Sequence, residues 1–278
     1  MQADTRNSTS FVASRDGTRI AYRSWPKSEA AITFAVVHGL GEHSGRYAAF
    51  AEAMARRGMG TFAMDLRGHG QSEGQRGHVD SWSQWLDDIG AFIGLVETNV
   101  AGEVVPLGHS FGGAAMLSAA LDKRLRGARR FIVSSPALKA KVAVPQWKTN
   151  LGEMASRVMP RLALSNEVDP GSISRIPEVV EAYKADPLVH PKISSRTYTE
   201  WQRATQDILR RAGEIKLPFL VLAGTADQLI DSAGSEELHR RAPAMSALHM
   251  LPGRYHEPFN DLGSDEVFDL IAEWLGPR

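Results

Sequence analysis

The chain is predicted to adopt an α/β fold, in which a mostly parallel central sheet is flanked by helices and interrupted once by an inserted helical segment. Three observations lead there. Short, near-continuous apolar runs such as 32–37, 60–64 and 104–107 alternate with amphipathic stretches, and strands buried on both faces read this way. A serine flanked by glycines, Gly108-His109-Ser110-Phe111-Gly112, stands between one such run and a strongly helix-forming stretch. The alternation stops after Pro136 and resumes at residue 219, so a segment of different character lies between.

Apolar runs at 11–13 and 20–25 flank Asp16-Gly17, a dipeptide suited to the left-handed conformations of a tight turn, which predicts an opening antiparallel hairpin. The run 32–37 is expected to be a buried strand, followed by a glycine-punctuated loop and an amphipathic helix over 47–57. The strand pattern returns at 60–64. Ser81-Trp82-Ser83-Gln84 has the spacing of a capping box, in which the serine hydroxyl and the glutamine side chain satisfy amides left unpaired at a helix start. Trp85, Ile89, Phe92, Ile93 and Val96 continue it as a helix. Runs at 104–107 and 131–135, with a helix over 113–125 between them, add two β units. Such alternation means a parallel sheet with helices on both faces. From 139 to 211 no run reads as a buried strand, and Pro145, Pro160, Pro170, Pro177, Pro187 and Pro191 cut the segment into short helices, as in a mobile cover. Strands are expected again at 219–223 and 247–251, with a closing helix over 265–275 behind Ser264 as N-cap. The division is therefore a core of 1–138 and 212–278 with a helical cap over 139–211.

A chain of 278 residues can bury a full core. Lys plus Arg and Asp plus Glu balance at 32 each, so no excess positive charge draws it to nucleic acid or to an anionic membrane. The absence of cysteine removes disulfides, thiolate metal sites and a cysteine nucleophile together. Residues 1–7 are polar and lack the apolar core of a signal peptide, which predicts a cytoplasmic protein.

In open parallel sheets, ligands bind at the carboxyl ends of the strands. Three loops at such ends carry reactive side chains: Ser110, Asp227 in Gly224-Thr225-Ala226-Asp227, and His256 in Gly253-Arg254-Tyr255-His256-Glu257. A serine hydroxyl is a weak nucleophile until a neutral imidazole takes its proton, and the imidazole needs a carboxylate to set its tautomer. The order Ser, Asp, His suits a nucleophile elbow, where glycines leave room for strand and helix to approach. Asp231 and Asp261 compete for the acid position; Asp227 is preferred because it directly follows its strand, whereas Asp231 stands where it could cap the next helix. The oxyanion donors expected are the backbone amides of Phe111 and of Leu40 in His38-Gly39-Leu40-Gly41-Glu42-His43.

The run His38-Gly39-Leu40-Gly41-Glu42-His43-Ser44-Gly45-Arg46-Tyr47, with Arg67-Gly68-His69-Gly70-Gln71-Ser72, Gly108-His109-Ser110-Phe111-Gly112-Gly113, Asp186-Pro187-Leu188-Val189-His190 and Tyr255-His256-Glu257, resembles the monoacylglycerol lipase and lysophospholipase group of α/β-hydrolases over almost the whole chain. The resemblance implies an α/β-hydrolase fold with a helical cap, or lid, and a serine hydrolase cleaving the ester of monoacylglycerols, with lysophospholipase or broad carboxylesterase activity as the alternative. It also implies that Glu42 and Arg46 line the polar end of a pocket for a glycerol head; from the residues alone they read equally as a salt-bridged loop pair. Phe111 stands where methionine is common in the group, which bears on pocket width. On the insertion, Met154, Ala155, Val158, Met159 and Leu162 fall at helical spacing. This stripe either packs the insertion onto the core or lines an acyl tunnel and touches a membrane or micelle surface.

The partner expected is a lipid or small ester, with no nucleic acid, no cofactor and no metal. Gly39-x-Gly41-x-x-x-Gly45 with Asp65 imitates a dinucleotide fingerprint, but that reading leaves Ser110, Asp227 and His256 without a role. A binding module with a dead site is opposed by candidates at all three triad positions. The nine histidines are scattered, with no H-E-x-x-H to support zinc hydrolysis.

Overall fold

The computed structural model describes residues 9–141, 146–166 and 168–276. Pro145, one of the expected breaks, and residues 1–7 lie outside the described residues. Ten strands and eight α-helices are described: β1 Ser10–Ala13, β2 Arg19–Trp25, β3 Ile32–Val37, α1 Ala48–Arg56, β4 Gly60–Met64, α2 Trp82–Asn99, β5 Glu103–His109, α3 Ser110–Leu121, β6 Phe131–Ser134, α4 Gln146–Val158, β7 Ala163–Ser165, α5 Pro177–Ala185, β8 Lys192–Ser194, α6 Ser195–Arg211, β9 Phe219–Gly224, α7 Ala233–Arg241, β10 Ser246–Leu251 and α8 Ser264–Leu275. Eight strands form one sheet in the order β1-β2-β4-β3-β5-β6-β9-β10. The β1–β2 and β2–β4 pairs are antiparallel and the others parallel.

All six residues of β3 and of β9 are buried, which explains their unbroken apolar runs. Side-chain alternation still sorts the two faces. Ala35 and Val37 join α2 and α3 in one cluster, whereas Phe34 and Val36 join α1 and α8 in the other. The chain runs from β3 outward to β4 and then back past β3 to β5. The order therefore reverses between β3 and β5, and the crevice between the loops after these strands is where an open sheet binds ligands.

Several local expectations fail. Ser81 makes no side-chain cap for α2. Gln84 instead accepts from the Asp80 amide (2.9 Å), and the Trp82 amide donates to Glu200 of α6 (2.9 Å). Ser264 is the first residue of α8, behind a left-handed Gly263 (φ 75°). The segment expected to lack strands contains β7 and β8, which pair antiparallel; at three residues each they are too short to carry a readable period. Ala204, Ile208 and Ala212 are buried in the cluster that holds α2 and α3, so this stretch packs on the core.

Candidate active site

Ser110 sits where β5 turns into α3, and its backbone is left-handed, φ 51°. Such a conformation costs a non-glycine residue about 1–3 kcal/mol and persists only where the surroundings impose it. The glycines on either side make the turn sterically feasible. A Cβ on Gly108 would lie 2.5 Å from the carbonyl oxygen of Gly112, and one on Gly112 would lie 2.3 Å from that of His38.

Ser110 Oγ is 2.9 Å from His256 Nε2, and His256 Nδ1 is 2.8 Å from Asp227 Oδ2. Asp227 and His256 are buried while Ser110 is half-buried, so the serine is the most accessible of the three. The other oxygen of Asp227 accepts the amides of Leu229 and Ile230, both at 2.9 Å. Burial pushes the Asp227 carboxyl up, but His256 and these amides outweigh it and hold the carboxyl below its ordinary value. At His256 burial disfavours the charged ring; the charge and hydrogen bond of Asp227, then Glu257 and Glu42, reverse this and raise it above the ordinary histidine value. The two competing acids are engaged elsewhere. Asp231 pairs with Lys139 (2.8 Å) and accepts the Ala233 amide at the start of α7, and Asp261 pairs with Arg175 (2.9 Å).

Across the crevice, Gly39 comes close to the serine: a Cβ there would lie 3.1 Å from Ser110 Cβ and 2.9 Å from Glu42 Oε1. Leu40 follows, half-buried at the mouth of the crevice. The Phe111 amide belongs to the first turn of α3, whose N–H groups have no partner within the helix and form the positive end of its dipole. The Phe111 ring points the other way. It is 2% exposed and enclosed by Trp85, Trp82 and Trp201 at 5.0, 5.2 and 6.1 Å between centroids, so it packs in the core.

Glu42 and Arg46 form the salt-bridged pair. Arg46 Nη1 donates to Glu42 Oε2 at 2.8 Å, and Glu42 Oε1 accepts from the Gly39 amide (2.6 Å) and the Tyr47 hydroxyl (3.1 Å). Arg46 also donates both Nη groups to Glu257, at 2.6 and 2.7 Å. The one trace of Glu257 in the sequence is its adjacency to His256. Glu42, Tyr47, Glu257 and His109 line a space too tight for a water molecule. Burial and the neighbouring His256 push the His109 ring down to about 4. By contrast, Met154, Val158, Met159 and Leu162 of the inserted segment are 58, 75, 54 and 39% exposed.

A half-buried serine on a strained strand-to-helix turn, hydrogen-bonded to a histidine that is hydrogen-bonded to a buried carboxylate, at the switch point of this sheet, defines an α/β-hydrolase of the serine hydrolase class. The chain belongs to the family described as serine aminopeptidase, S33, whose model matches residues 28–263. Monoacylglycerol lipases are among its relatives. A monoacylglycerol lipase of Mycolicibacterium smegmatis is 33% identical over 281 residues, covering 99% of both chains. The crystal structure of Paleococcus ferrophilus monoacylglycerol lipase superposes with a TM-score of 0.81 at 34% identity, covering 93% of this chain and 98% of that one. An uncharacterized abhydrolase domain-containing protein of Dictyostelium discoideum is 34% identical over 275 residues, and there the chain spans 29% of the relative's length. The chain is a carboxylic ester hydrolase.

Proposed function

We propose that the chain hydrolyses monoacylglycerols through an acyl-enzyme on Ser110. His256 Nε2 takes the proton as Ser110 Oγ attacks the ester carbon, and the tetrahedral oxyanion is held by the amides of Leu40 and Phe111. The imidazolium then gives its proton to the departing glycerol oxygen, and water repeats the sequence to release the fatty acid. Asp227 stabilises the imidazolium and fixes its tautomer. The observation that carries this reading is the Ser110–His256–Asp227 chain of contacts, 2.9 and 2.8 Å, in a chain of this family.

Charge around the site favours an uncharged head group. Glu42 and Glu257 outnumber Arg46 in the buried network behind Gly39, and each Nη of Arg46 is already committed to a carboxylate. A phosphate next to the scissile ester would meet the net negative charge of this network, whereas glycerol hydroxyls would not. Glu42 and Arg46 then act as the rigid backing of the head-group end.

We assign the inserted segment the role of a lid. Its exposed Met154, Val158, Met159 and Leu162, with Leu164 at 46% exposure, form apolar surface that supports docking on a membrane or micelle and feeding of the acyl chain toward Ser110. Among the described residues no helix is long and apolar enough to cross a membrane; the attachment proposed is peripheral. The test is an initial-rate panel of monoacylglycerols, diacylglycerols, lysophosphatidylcholine and p-nitrophenyl esters of graded length. Monoacylglycerol is expected to give the highest kcat/KM. Preference for lysophosphatidylcholine would replace this reading with a lysophospholipase, and equal rates on all esters with a broad carboxylesterase.

A further inference from the structure

The loop that carries Leu40 is gripped from two directions. From the core, the Leu66 amide donates to His38 Nε2 (2.9 Å), so the ring carries its proton on Nδ1 and donates it to the Gly39 carbonyl (2.6 Å). A trans peptide points its N–H opposite its C=O, so this bond turns the Leu40 N–H away from His38. The Gly39 amide is tied in turn to Glu42 (2.6 Å).

The second grip comes from the inserted segment, between α5 and β8. The His190 amide donates to the Gly41 carbonyl at 2.9 Å. Gly41 is left-handed (φ +82°), and a Cβ there would lie 2.5 Å from the His190 carbonyl oxygen, so only glycine admits the two backbones at this separation. Beside it, the Gly45 amide donates to His43 Nδ1 (3.1 Å), which places the ring proton on Nε2; that proton is donated to Asp186 Oδ2 at 2.8 Å. The other Asp186 oxygen accepts the Leu188 amide (2.8 Å) and holds the turn that delivers His190. The Arg46 guanidinium at the far end of the loop lies over the Tyr183 ring of α5, 4.7 Å from its centroid.

We propose that Asp186 and His43 are positioning residues for ester hydrolysis: their contact locks the inserted segment against the 38–47 loop and so aims the Leu40 amide at the oxyanion. This rests on the reading of Leu40 as an oxyanion donor. Docking of the segment thereby completes the oxyanion hole, and detaching it is felt in kcat, separately from any part the exposed apolar residues play in binding the acyl chain. Removal of a whole oxyanion donor costs about 10²–10³ in kcat. A donor that keeps its core-side grip and loses the other should lose roughly 10–100-fold.

The test uses p-nitrophenyl butyrate, whose acyl chain is short, and a trifluoromethyl ketone, which adds to the serine as a tetrahedral oxyanion. Asp186→Asn preserves shape and the Leu188 bond but sets an amide N–H against the His43 proton; His43→Ala removes the contact outright; His43→Gln returns a donor nitrogen to the same place. Expected for Asp186→Asn and His43→Ala are a kcat roughly 10–100-fold lower, a KM within about twofold, and ketone affinity weakened by the same factor as kcat. The double variant should be no worse than the worse single one, and His43→Gln should recover to within about threefold. Unchanged kcat and ketone affinity in Asp186→Asn with a normal melting temperature would overturn the proposal, as would a raised KM at constant kcat or losses that add. A wild-type chain that does not cleave the ester, or cleaves it equally well as Ser110→Ala, would instead overturn the active-site reading itself.

Discussion

At the strand ends, Glu42, Asp227, His256 and Glu257 are each 5% exposed or less, whereas on the inserted segment Met154 is 58% and Val158 75% exposed. Both arrangements run against the ordinary preference for apolar interiors and charged surfaces. Burying ionised groups costs several kcal/mol each unless they are paired and hydrogen-bonded, and here every one of them is. Leaving a large apolar side chain in water forgoes about 1.5–3 kcal/mol of burial. The two regions invert one another because one has to hold geometry and the other, on our reading, has to meet a lipid. A mutation in each should therefore fail in its own way.

The largest effect is expected at the serine. Ser110→Ala should lower kcat on a soluble p-nitrophenyl ester by on the order of 10⁴-fold or more, His256→Ala nearly as much, and the pair no more than either, since triad members act as one unit. A fluorophosphonate adduct mapped by mass spectrometry should fall on Ser110, and one on another residue would remove the assignment.

Next in size is the acid. Asp227→Asn should cost about 10⁴-fold in kcat, while Asp231→Asn, which breaks only a partly exposed pair with Lys139, should stay within about threefold. Because the carboxylate raises His256 above its ordinary value of 6.5, wild-type kcat/KM should climb with pH through an apparent pKa above 6.5. In Asp227→Asn that limb should move to lower pH. The sign reverses for stability: a raised folded-state histidine contributes stability that is fully present below 6.5 and lost as pH rises through the folded value. His109, held at about 4 beside it, does the opposite and costs stability as pH falls from 6.5 toward 4.

Arg46→Met should act on stability first. It leaves Glu42 and Glu257 buried without their cation, a loss of about 3–5 kcal/mol, or roughly 6–20 °C in Tm at about 2–4 °C per kcal/mol. A shift under about 2 °C would mean that water reaches the network.

The smallest and most selective effect belongs to the other region. Val158→Asp should reduce turnover of a long-chain monoacylglycerol in vesicles by about tenfold while leaving the p-nitrophenyl butyrate rate and the Tm unchanged, because the substituted side chain already faces solvent. Equal losses on both substrates with a lowered Tm would make the stripe a packing surface and erase the contrast between the regions.

By itself the sequence determined what is local or periodic. The strands could be read because each is a short apolar run, and the elbow because its glycines and serine sit within five residues of one another. Ser110, Asp227 and His256 could be found because the topology of a parallel sheet forces reactive residues to the carboxyl ends of strands. Tertiary structure alone decided the rest. Arg46 meets Glu257 across 211 positions, His43 meets Asp186 across 143, and the first amide of α2 is satisfied by Glu200, 118 residues away. The partner of a buried charge is set by which loops converge, and a helix end takes whichever acceptor is nearest in space. Capping boxes and i,i+4 pairs act over one turn of chain, so a one-dimensional pattern holds no record of these longer contacts.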